Sequence, residues 1–153
     1  MIYPNSYFLY KDIDWFCNIN GILIHVASAG GAIPKSIYNR DILQRLQENV
    51  FQAPMLFSKE EININRNYLF EQLNLDDVAF DNYVSSFVDM SRKGFVSFDR
   101  TFINDPEDNR YHIVCMPPIF DIRPDILGIP SFHKDNFEIN GFMNGVYLYD
   151  LLS

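Results

Sequence analysis

At 153 residues, with 48% hydrophobic and 21% charged residues, the chain is one domain's worth of ordinary globular sequence, which excludes disordered, collagen-like and low-complexity classes. Phe, Tyr and Trp number 14, 9 and 1, enough ring area for a core without disulfides or a structural metal. The net charge of −8 disfavours a phosphate backbone or an anionic membrane as partner and leaves two uses for the acids, solubility or a basic partner protein.

The imbalance is uneven: residues 1–76 carry 6 basic and 8 acidic side chains, residues 77–153 carry 6 and 12. No stretch approaches the roughly 20 apolar residues of a membrane helix, and residues 1–5 have no basic n-region. Cys17 and Cys115 are isolated, so they read as reduced, buried thiols of a cytoplasmic protein.

Residues 6–10 are a candidate first strand. A hairpin follows over 14–19 and 22–27, because two apolar arms flank Asn20-Gly21, the pair suited to a type I′ turn. Trp15, Cys17 and Ile19 alternate onto one face, and the second arm is apolar on both faces, which places it inside a sheet. After Gly30-Gly31 a helix is expected over 39–50 with Ile42, Leu43, Leu46 and Val50 inward, ended by Pro54. Ser58-Lys59-Glu60-Glu61 has capping-box form and favours a helix through Leu73, whereas Ile62 and Ile64 alternate like a strand, so 59–65 is open between the two.

Helix periodicity is clearest over 77–93, with Phe80, Tyr83, Val84, Phe87, Val88 and Met90 in one arc, Asp76 and Asp77 at the positive end, and Gly94 as cap. Strands are expected over 95–103 and 110–116, closed into an antiparallel hairpin by an acidic connector at 104–109. Pro117-Pro118, Pro124 and Pro130 make 117–136 an irregular but apolar excursion. Asn140-Gly141 and Asn144-Gly145 suggest a last hairpin or strand. Hairpins separated by helices predict a single α+β domain with a mainly antiparallel sheet, α/β being the alternative.

The junction from His25 through Ser28 to Gly30-Gly31 is the stretch closest to chemistry. Free N–H groups at Gly30 and Gly31 could cradle an anion, although neither GxGxxG nor GxxxxGK[ST] is present. A nucleophilic reading uses Ser28 with His25 or His112 as base and Asp99 or Asp121 as orienting carboxylate. Cys17 shares a face with Trp15 and Ile19, which argues for an inert thiol. The three histidines are dispersed, so no metal site and no cofactor are implied. Arg100 shares a strand face with Phe98, where it either stacks on a ring with its head in water or binds an acidic group.

The favoured function is a non-catalytic binding protein, of a bacterial immunity or accessory type, engaging a basic partner protein through acids. Its candidate contact residues are Asp105, Glu107 and Asp108 on the connector and Phe120 and Phe132 in the irregular segment. The alternative is a small enzyme or ligand-binding domain at the His25, Ser28, Gly30 and Gly31 junction. A homodimer that hides ring-rich surface is a third arrangement.

Overall fold

Asn20 and Gly21 adopt the positive φ angles, 55° and 86°, that their pairing predicts. They join β1 (Asp14–Ile19) to β2 (Ile22–Ala27) in a six-residue antiparallel register from Asp14 opposite Ala27 to Ile19 opposite Ile22. The computed structural model describes residues 12–37 and 39–152, so the strand expected at 6–10 lies outside the described residues. A second local hairpin pairs β4 (Val96–Arg100) with β5 (Tyr111–Met116).

The two hairpins meet along a parallel seam, β2 against β4, with His25 opposite Ser97 and Ala27 opposite Asp99. Two short strands complete the sheet, β3 (Asn63–Ile64) antiparallel to β5 and β6 (Ser131–Phe132) parallel to β1, giving the order β3-β5-β4-β2-β1-β6. The domain is α+β, as the sequence indicates, and its sheet is mixed. A parallel seam follows from burial: β2 is apolar on both faces and takes strand neighbours on both edges.

Helix α1 (Arg40–Gln52) starts at Asn39, whose side chain accepts from Ile42 N–H at 3.1 Å. Its Leu43, Leu46 and Val50 are buried, but Ile42 is 52% exposed, because it lies at the margin of the arc rather than within it. The capping box at Ser58 closes only a single 3-10 turn (Lys59–Glu61), with Glu61 Oε1 accepting from Ser58 N–H at 3.1 Å. β3 and then α2 (Arg66–Leu73) follow. The undecided segment is thus turn, strand and helix in succession.

Helix α3 (Asp77–Arg92) matches its periodicity: Asp76 accepts from Ala79 N–H at 2.8 Å, and Phe80, Val84, Phe87 and Val88 are buried. It covers one sheet face together with α2, against Ala27, Val114 and Cys115. The opposite face gathers Trp15, Cys17, Ile24, Val26, Phe98 and Ile113 under Ile33, Ile37, Leu148 and Leu152.

Two expectations in the C-terminal half are corrected. β4 stops at Arg100, so Phe102 and Ile103 belong to the connector and are 40% and 59% exposed. The chain end forms a short helix, α4 (Leu148–Leu152), with one isolated bridge between Tyr111 and Val146. Gly141 and Gly145 do take positive φ, but no paired arms flank them. Leu148 and Leu152, four residues apart, instead bury one helical face.

Irregular chain is fastened by buried cations. Arg123, 6% exposed, donates to Asp125 from Nε at 2.9 Å and from Nη2, and through Nη1 to the carbonyls of Pro54 at 2.9 Å and Lys93 at 3.0 Å. Lys93 donates to Val50 O at 2.9 Å and Phe51 O at 2.8 Å, closing the C-terminal end of α1. Its burial lowers the ammonium pKa. Arg123→Met should cost roughly 2–4 kcal/mol, since two carbonyls lose their donor. Denaturant titration measures the loss, and amide exchange should show residues 119–129 opening first; unchanged protection there contradicts the fastening role.

Candidate functional site

The α3-covered face of the sheet is not purely apolar. Around the parallel seam it carries a line of polar groups, which pairing alone brings together. His25 Nε2 lies 3.0 Å from Asp14 Oδ1, and His25 Nδ1 lies 3.1 Å from Ser97 Oγ. The imidazole stacks on Phe16 at 5.3 Å and meets Phe87 at 5.9 Å. The sequence Asp14–His25–Ser97 has the connectivity of a charge-oriented nucleophile. Ser97 is nevertheless 0% exposed and His25 2%, and Ser97 Oγ also donates to Phe87 O at 3.2 Å. The array is a strut linking β1, β2, β4 and α3, buried at His25 and Ser97 and open to solvent only at Asp14.

Ser28 is not in that array: its Oγ accepts from Ile13 N–H at 2.8 Å. The loop after it is already furnished with an anion. Ala29 N–H donates to Asp12 Oδ1 at 3.0 Å, and Gly31 N–H donates to Ser28 O at 2.8 Å. Gly31 has a separate requirement, because a Cβ there would stand 2.8 Å from Arg100 Cδ.

Asp99 and His112 face each other across β4 and β5. Tyr83 O–H and Arg100 N–H both donate to Asp99. Burial pushes the Asp99 carboxyl up to about 6, against those bonds, and raises the Tyr83 hydroxyl as well. His112 Nδ1 is 2.9 Å from Thr101 Oγ1, its ring meets Tyr68 at 5.4 Å, and Nε2 has no partner among the described residues. Burial lowers His112 to about 4. His25 and His112 therefore occupy separate networks, and both are enclosed. Cys17 and Cys115 are buried and unbonded to each other, and burial raises both thiols, Cys115 to about 12. Among the described residues no group of three His, Cys, Asp or Glu side chains could hold a metal ion.

The solvent-facing candidate is the β4–β5 connector, and Arg100 builds it. Arg100 is 3% exposed, so its head is not in water, and among the described residues it lies over no ring. Nε donates to Asp108 O at 2.9 Å, Nη1 to Ala29 O at 3.2 Å, and Nη2 to Asp105 O. All three acceptors are main-chain carbonyls, two of them in the connector. The loop is further stiffened by Asp105 Oδ1, which accepts from Glu107 N–H at 3.0 Å.

Asp108 turns back to Arg110, whose bonds hold its carboxyl below the usual range, and the Arg110 guanidinium sits 4.3 Å over the Phe102 ring. Asp105 and Glu107 remain exposed beside Phe102, Ile103 and Tyr147. Of the two predicted contact rings, Phe120 is 41% exposed, while Phe132 sits in β6 packed against the core. Sequence reasoning missed Tyr147, which only the fold brings beside the connector, lining the same cleft as Asp105 and Glu107. It also missed Asp14 and Ser97 as partners of His25. No family model, curated protein or solved structure matches the chain.

The Asp99–His112 pair predicts a compensated pH response. A raised carboxyl pKa gives stability that is present below pH 3.8 and lost as pH rises through about 6. A lowered imidazole pKa gives stability present above pH 6.5 and lost as pH falls towards about 4. The slopes oppose each other over the shared window. Asp99→Asn should leave the His112 slope alone, so the unfolding free energy should climb by about 3 kcal/mol from pH 4 to pH 6.5. Denaturant titrations across that range read it directly, and a flat profile in the variant contradicts the assignment.

Proposed function

We propose that the protein is a non-catalytic binding module that engages a basic partner protein, in the manner of a bacterial immunity or accessory protein of the cytoplasm, with the β4–β5 connector as its contact surface. The observation that carries this reading is Arg100. A buried guanidinium bonded only to carbonyls is costly to desolvate. Here it holds an exposed loop in one shape, with acids on it. A loop ordered before binding loses less entropy on association.

The charge distribution supports the same reading. In residues 77–152 every Lys and Arg is buried or partly buried, whereas nine of the twelve acids are exposed. The surface of that half is therefore more acidic than its composition, which suits electrostatic steering of a cationic partner. Phe102, Ile103 and Tyr147 supply apolar anchors beside the acids. The nucleophile and base candidates, by contrast, are spent inside the fold. No helix among the described residues is long and apolar enough to cross a membrane.

The test is affinity capture of a stoichiometric partner from native-host lysate, followed by binding kinetics with the purified pair. Asp105→Ala/Glu107→Ala should slow association about 3- to 10-fold at low salt and flatten its salt dependence. Arg100→Met should act mainly on dissociation, by loosening the loop. Unchanged kinetics in the double variant would refute the connector as the contact surface.

A further inference from the structure

We propose that Asn144-Gly145 is a site of spontaneous covalent modification, at which the side-chain amide is lost as ammonia and the main chain is lengthened beside β5. The inference does not rest on the function proposed above.

An asparagine followed by glycine is open to attack by the glycine nitrogen on the side-chain carbonyl, because no Cβ crowds the nucleophile. Three such pairs occur, Asn20-Gly21, Asn140-Gly141 and Asn144-Gly145, and all three glycines take positive φ. A Cβ at any of the three would meet nothing within 4 Å, so bonding rather than crowding ranks the pairs.

Asn20 is the most firmly held. Its Nδ2 donates to Lys134 O at 2.7 Å and to Phe137 O at 3.0 Å, and its Oδ1 accepts from Lys134 N–H at 2.9 Å. The attacking group is tied as well, since Gly21 N–H donates to Asn18 Oδ1 at 2.7 Å. At the second pair, Asn140 Nδ2 donates to Glu138 Oε1 at 2.9 Å. Asn144 is exposed, and neither its side chain nor the Gly145 N–H has a partner among the described residues.

In the first step the Gly145 amide gives its proton to solvent base and its nitrogen bonds to Asn144 Cγ. The Cγ–Nδ2 bond breaks, and Nδ2 takes a proton from water and leaves as ammonia. Water then opens the five-membered imide. Opening at Cγ leaves aspartate; opening at the main-chain carbonyl leaves isoaspartate, whose chain runs through Cβ and Cγ. Both products gain a carboxylate, and the second also gains a methylene in the main chain.

Position gives that methylene a consequence. The pair lies between two anchors on β5: Met143 O accepts from Ile113 N–H at 3.0 Å, and Val146 exchanges bonds with Tyr111 at 2.8 and 2.9 Å. Three steps of chain here match two on β5, so the pair already bulges, and a further atom pushes Val146 out of register with Tyr111. Leu148 and Leu152 of α4 follow directly and are buried, so the loosened bridge reaches the core.

The full chain, held at mildly alkaline pH and physiological temperature, is digested and read by mass spectrometry with fragmentation that distinguishes isoaspartate. Asn144 should react at least about tenfold faster than Asn20, whose bonds must break first, and faster than Asn140. In denaturant the spread should collapse, because each asparagine has the same following residue. The isoaspartate form, separated by anion exchange, should lose amide-exchange protection at Tyr111 and Val146, whereas Asn144→Asp, with the same added charge, should keep it. Faster reaction at Asn20 or Asn140 in the folded protein, or an equal spread in denaturant, overturns the proposal. So does unchanged protection in the isoaspartate form, or the same loss in Asn144→Asp.

Discussion

The fold depends on cations that leave water to hold carbonyls. Arg100 secures the Gly30-Gly31 loop and the β4–β5 connector to the end of β4, while Arg123 and Lys93 secure the ends of α1 and α3 to the segment after β5. Only about half of the described residues are in regular secondary structure, so many peptide groups need partners that no ladder supplies. A guanidinium presents five N–H donors in a rigid fork and meets several carbonyls at once. The stiffness of the irregular parts is thus concentrated in a few side chains.

That choice governs the surface. Of the cations taken inside, only Arg123 reaches an exposed acid, Asp125, so structural economy and surface electrostatics are linked by the same three residues. Asp125 is matched to Arg123 and Asp108 to Arg110, yet Asp105, Glu107, Asp121, Asp135, Glu138 and Asp150 stand exposed. The polar groups on the α3 face follow a different logic. His25 ties β2 to β1 through Asp14 and to β4 through Ser97, and Asp99 ties β4 to α3 through Tyr83; polar bonds of this sort favour one strand register over its neighbours.

Local signals were legible in the sequence and distant ones were not. Asn20-Gly21 between apolar arms marked the first hairpin to the residue, and Asp76, Gly94 and the 3.6-residue stripe marked α3, because each of those elements is decided by residues within a few positions of one another. The alternation of Ile62 and Ile64 marked β3 as one of two readings, and it could not win outright because so short a strand sits between a capping-box sequence and a helix. The inward direction of Arg100 could be read from its face, but carbonyl partners leave no sequence mark, so its role could not. Ser97 was invisible as a partner of His25 for the same reason that the sheet could not be called mixed: both follow from the parallel seam.

That seam has a kinetic meaning. Each hairpin closes within a few residues of its turn, but β2 reaches β4 only after the chain of residues 28–95, with α1, α2 and α3, has been gathered between them. Closing so long a loop costs entropy before any seam contact repays it. Folding should then wait on one docking event between two preformed hairpins, with substitutions along His25–Ala27 and Ser97–Asp99 slowing folding and those at the periphery mainly hastening unfolding.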